Sequence, residues 1–116
     1  MGLQKNFATG LGAVLTIVGI WGFLSTGSVL GFGVTTAHNL VHLVSGVLGL
    51  LAGLTADGEH AKTYNIVFGV IYGITTILGL LNVAAIVDLL SLNTADNILH
   101  LVITLAALGV GFGAQD

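Results

Sequence analysis

Apolar residues gather in four stretches of the chain, near positions 7–24, 36–54, 64–87 and 94–112, separated by short polar segments. At about 1.5 Å of rise per residue each is long enough, as a helix, to cross a hydrocarbon core of about 30 Å. Strands are a poor alternative, because an open sheet leaves edge amides unpaired in lipid and the alternation of a barrel is missing. Four transmembrane helices are therefore predicted. Ser25-Thr26-Gly27-Ser28, Thr55-Ala56-Asp57-Gly58 and Ser91-Leu92-Asn93-Thr94 carry the turn and cap chemistry that should separate them.

Small and polar residues recur inside these stretches at helical spacing. Span two has Asn39, His42, Gly46, Gly49 and Gly53, and span four has Asn97, His100, Thr104, Ala107 and Gly111. Span three has Asn65, Gly69, Tyr72, Thr76 and Gly79, and span one has Thr9, Gly12, Thr16, Gly19 and then Gly22 or Phe23. In lipid, helices associate through close backbone approach and interhelical hydrogen bonds, so these stripes should face inward and the Leu, Val and Ile positions outward.

Two stripes are near copies. TAHNLVHLV from Thr36 and TADNILHLV from Thr94 differ at three of nine positions, 58 residues apart, and Thr16 and Gly19 match Thr76 and Gly79 more loosely at an offset of 60. The chain reads as a single domain over 1–116 built from two parallel two-helix repeats, about 7–54 and 64–112. Such repeats insert in the same sense and predict a bundle with a pseudo-two-fold axis along the membrane normal.

Composition agrees: 55% of residues are hydrophobic and 6% charged, against about 25% charged in soluble domains. With two lysines and no arginine there is no basic patch for nucleic acid. The absence of cysteine excludes disulfides, thiolate metal sites and cysteine nucleophiles. A cleaved signal peptide is not expected, since apolar character runs on past a short h-region. Lys5 and Lys62 fall on one side of a four-pass topology, which the positive-inside tendency assigns to the cytoplasm together with both termini. Trp21, Phe23 and Tyr64 stand where interfacial aromatics are expected.

HNLVHLVSGVLGLLAG, YNIVFGVIYGITTILGLL and LNTADNILHL closely resemble the small four-helix prokaryotic membrane proteins grouped as domain of unknown function family 4383. The resemblance covers nearly the whole chain and is most specific at Asn39, His42, Gly46, Gly49, Asn97 and His100, with Asp96 before the second pair. It implies a four-helix protein of a prokaryotic membrane and implies no activity.

His42 and His100 would lie roughly 9 Å inside their helix starts at 1.5 Å per residue, a depth at which ionisable groups face protein or a water-filled cavity. Three readings are open. In the first, Asn39, His42, Asp96, Asn97 and His100 form a structural polar cluster whose hydrogen bonds tie the two hairpins together, above the packing positions Gly46, Gly49, Gly53, Thr104, Ala107 and Gly111. In the second, His42 and His100 are axial ligands to a haem or a chlorophyll-type pigment, although the small residues beneath them favour close helices. In the third, His38 and Asp96, each four residues before one of these histidines, join them in a metal or proton site. Asp96 also has a plain use at a helix N-terminus, and His38 has aspartate as its counterpart in the second copy.

Elsewhere, His60 in DGEHAKT reads as a solvated loop residue and Asp88 as an interfacial carboxylate. Tyr72 should fill the bundle with its hydroxyl bonded. Gly31-Phe32-Gly33 lacks the lysine of a phosphate loop, and Ser45 near His42 lacks the carboxylate of an acyl-transfer set. The expectation is a non-catalytic protein without a resident cofactor or metal. Its partners would be the lipid bilayer together with other membrane subunits or its own copies.

Overall fold

The computed structural model describes residues 2–25, 28–29, 32–33 and 35–114, and it is built from helices that follow the four apolar stretches. They are α1 (Leu3–Leu24), α2 (Thr36–Leu54), α3 (Ala61–Leu80) and α5 (Thr94–Gly113), each long and apolar enough to cross a membrane. A short helix, α4 (Ala84–Leu90), precedes α5, and between α1 and α2 the segments β1 (Ser28–Val29) and β2 (Phe32–Gly33) pair antiparallel. Thr26, Gly27 and Gly31, which belong to the first connection expected from the sequence, lie outside the described residues.

The boundaries follow local chemistry. Thr35 caps α2, its side chain accepting from the His38 amide. Asn93 and Asp96 form a reciprocal capping box at the start of α5, each side chain bonding the other's backbone amide. Between α2 and α3 the chain turns through positive φ at Ala56, Asp57 and Gly58, the last at 76°, where glycine carries no steric penalty.

Two boundaries differ from the sequence reading. Span one begins at Leu3 rather than near Phe7, which brings Gln4 into the helix. Span three ends at Leu80 instead of running to 87, because Asn82 adopts φ 55° and its amide turns back onto the Gly79 carbonyl. Hydrophobicity does not change there, since Leu80, Leu81 and Val83 surround the break. Asparagine is among the few residues that tolerate the left-handed region, and α4 begins two residues later at Ala84, with Val83 at its N-cap.

The helices pack mainly as two hairpins, α1 against α2 and α3 against α5. The expected stripes face inward: Gly12, Gly19 and Gly22 of α1, Asn39, His42, Gly46, Gly49 and Gly53 of α2, and Asn65, Gly69, Tyr72, Thr76 and Gly79 of α3 are buried. On α5, His100, Thr104, Ala107 and Gly111 are buried and Asn97 is half-buried. At the fork in span one it is Gly22 that turns inward, with Phe23 45% exposed. Val14, Ile17, Val44, Ile74, Ile77, Val102 and Leu105, on the outer faces, are all exposed. Tyr64 is turned into the bundle: it is 5% exposed, and its hydroxyl donates to the Ser45 carbonyl at 2.7 Å, tying α3 to α2.

The first hairpin closes backbone on backbone. A Cβ on Gly12 would stand 2.5 Å from the Leu50 nitrogen and 2.7 Å from the Gly46 oxygen. In the second hairpin side chains intervene, with Gly69 against Leu108 and Ala107 and Gly73 against the Thr104 methyl. An apolar groove of about 460 Å³ stays open along α3 and α5 at these positions.

Some glycine contacts recur between the two hairpins. Asn39 packs on Gly22 as Asn97 packs on Gly79, and Gly46 meets Thr16 as Thr104 meets Gly73. Matching contacts in the first helix of each hairpin are thus 57 positions apart, not the 60 that align Thr16 with Thr76. In the second helices the offset of 58 is the one that the contacts follow, Asn39 with Asn97 and Gly46 with Thr104.

Candidate functional site

Three helices bring aromatic nitrogen and oxygen groups together near the starts of α2 and α5. His38 and His42 stand one turn apart on α2 with ring centroids 4.3 Å apart. From α5, His100 places its ring 5.5 Å from His38 and 6.1 Å from His42, and Tyr72 of α3 lies 5.4 Å from His100. The three histidines are 1%, 2% and 1% exposed in chain order, so the cluster is shut off from bulk solvent.

His38 is held from outside the cluster. Its amide donates to the Thr35 hydroxyl at 3.1 Å, and its Nδ1 lies 2.8 Å from the Leu90 carbonyl. A carbonyl only accepts, so Nδ1 carries the proton of that bond and, in the neutral ring, Nε2 keeps its lone pair. The Thr35 hydroxyl in turn donates to the Leu89 carbonyl at 2.8 Å. The C-terminal end of α4 is thereby pinned over the start of α2.

The ring nitrogens of His42 and His100 are in a different condition. All four are buried and have no hydrogen-bond partner among the described residues. The interhelical bonds that a structural reading expects of these two side chains are not formed. One nitrogen each from His38, His42 and His100 lies within 4.8 Å of the others, which makes these residues the only such group of three metal-ligating side chains among the described residues.

Of the four residues that the metal reading drew together, His38, His42 and His100 converge and Asp96 does not. His38 is inside the cluster. Asp96 is outside that group and fully buried, its Oδ2 accepting from the Asn93 amide at 3.0 Å in the capping box. A macrocycle between His42 and His100 does not fit this geometry, because the His38 ring occupies space that the porphyrin plane would need around the axis joining them. Asn39 and Asn97, one turn before His42 and His100, lie against Gly22 and Gly79 on the facing helix of each hairpin. His60 and Asp88 are exposed, as expected. The His60 ring is 3.5 Å from Glu59.

At the other end of the bundle is a polar group that the sequence reading missed. Gln4 is 3% exposed, and its Nε2 donates to the Val110 carbonyl at 2.8 Å while its Oε1 accepts from Asn65 Nδ2 at 2.8 Å. These bonds join α1, α3 and α5. The signal was present as spacing: Gln4, Ala8 and Gly12 extend the buried stripe of α1 backwards at intervals of four. Lys5 pairs with Asp57 at 3.1 Å beside them, so this is also the lysine-bearing end.

Residues 5–113 match the family described as domain of unknown function (DUF4383). No curated protein and no solved structure matches the chain.

Proposed function

The chain belongs to the family of domain of unknown function DUF4383, and from that premise we propose that it is a non-catalytic structural or accessory protein of a prokaryotic cytoplasmic membrane. The observation that carries this reading is how the polar side chains of the spans are used. Gln4 and Asn65 join three helices, Tyr64 joins α3 to α2, and Asn93 and Asp96 cap α5. Groups spent on packing and capping in this way are not free to act on a substrate. No nucleophile, base and orienting acid converge among the described residues in the manner of an acyl-transfer site.

The outer faces suit lateral association. Large aliphatic side chains are exposed along α1, α2, α3 and α5, and the open groove on the second hairpin offers small residues at Gly69 and Gly73 where another helix can approach. The partner would be a larger membrane complex or further copies of the chain. The two-copy hairpin reading supports self-association, since a pseudo-symmetric bundle presents related faces on opposite sides. Native mass spectrometry on complexes released from their own membrane in mild detergent tests this. A defined assembly of higher mass is expected, and a lone chain at physiological expression would sink the proposal.

A further inference from the structure

The four orphaned nitrogens of His42 and His100 have no place in an accessory role. Polar atoms buried without partners are rare, and where they persist an unplaced ion or water commonly accounts for them. We propose that His38, His42 and His100 bind a late first-row transition-metal ion, zinc or copper, inside the bundle.

The donor set supports this class of ion. Three imidazoles with no carboxylate among them suit zinc and copper, while magnesium and calcium require oxygen. His38 and His42, at i and i+4, project from one face of α2, and His100 supplies the third direction from α5. Tetrahedral bonds of 2.0–2.1 Å place ligand nitrogens about 3.4 Å apart. The nitrogens here lie within 4.8 Å of one another, so modest rotations of the rings close them on an ion. The Leu90 carbonyl does for His38 what outer partners do at histidine metal sites, holding the proton on one nitrogen so that the other faces the metal. Among the described residues no further histidine or carboxylate joins the group, which leaves a fourth position for water or a small anion.

The test uses the full chain, purified in detergent on a tag without histidine. Elemental analysis, followed by titration of the stripped protein with Zn²⁺ and separately with Cu²⁺ and Cu⁺, is expected to give about one ion per chain. Excess Mg²⁺ or Ca²⁺ should not displace it, and the tighter arm identifies the metal. His42→Gln and His100→Gln should each weaken binding at least about tenfold, as loss of one ligand from a three-ligand site implies, whereas His60→Gln in the exposed loop should leave it unchanged. Circular dichroism shows whether each variant stays helical. If a variant does not fold, X-ray absorption on the wild-type protein decides the question: three imidazole nitrogens at zinc or copper support the site, and any other coordination overturns it. A folded wild-type chain that takes up no stoichiometric ion, or one whose uptake survives His42→Gln and His100→Gln together, also overturns it. Neither of those failures touches the accessory role, which rests on the packing.

Discussion

A methyl group at Gly12 would have to displace backbone, because the atoms it meets are the Leu50 nitrogen and the Gly46 oxygen rather than the end of a flexible side chain. Gly12→Ala should therefore push α1 from α2 and cost about 1–3 kcal/mol, in the range of overpacked cores. Gly10 and Gly109 sit on the same kinds of helix with open space around them, and alanine there should be neutral or stabilising by up to about 1 kcal/mol. Thermal unfolding in detergent separates the two classes, and a uniform response at all three positions would contradict the close-approach account. Spacing alone made the buried glycines legible, because period and residue size both survive in the sequence. The histidine cluster was legible only in part. His42 and His100 share a register across the two copies and His38 stands four residues before His42, but the Leu90 carbonyl that holds the His38 ring is a backbone atom 52 residues away that no side-chain pattern reports.

Among the elements, α2 was readable to the residue because a threonine cap and a change in hydrophobicity coincide at its start. The end of α3 was not, since the chain stays apolar through the break and a single residue, Asn82 at φ 55°, carries the change of direction. Asn82→Gly is expected to leave stability unchanged or raise it, while Asn82→Val should cost about 1–2 kcal/mol by forcing a β-branched residue into the left-handed region. The start of α5 makes a parallel case. Asp96→Ala removes the carboxylate that accepts from the Asn93 amide at 3.0 Å and should cost about 1 kcal/mol in the same unfolding assay. Its counterpart in sequence, His38, occupies the same position after its own cap but turns to α4 instead. That contrast explains why a repeat visible in the letters conceals two different uses of equivalent positions.

Over the whole molecule the polar groups form two poles, Gln4, Asn65 and the Lys5–Asp57 pair at one end and the histidines beneath α4 at the other. Gln4→Leu should cost about 1–3 kcal/mol, because the Val110 carbonyl would lose its side-chain donor and Asn65 would keep only its bond to the Gln4 backbone carbonyl. From the lysine bias we propose that the Gln4 pole faces the cytoplasm. The natural absence of cysteine allows a direct check with single substitutions at two exposed positions. In intact cells a membrane-impermeant maleimide should label Asp88→Cys and spare Lys62→Cys, and the opposite pattern would invert the topology. The unequal closure of the two hairpins has a further consequence in biosynthesis. The glycine contacts of α1 with α2 need nothing from the second half of the chain, so the first hairpin can lock as soon as it leaves the insertion machinery. His42 is then already carried on α2, whereas His38 gains its Leu90 partner only once α4 follows, and the third ring comes with α5. Only a chain synthesised through α5 presents all three imidazoles, so the cluster reports that the second hairpin has joined the first.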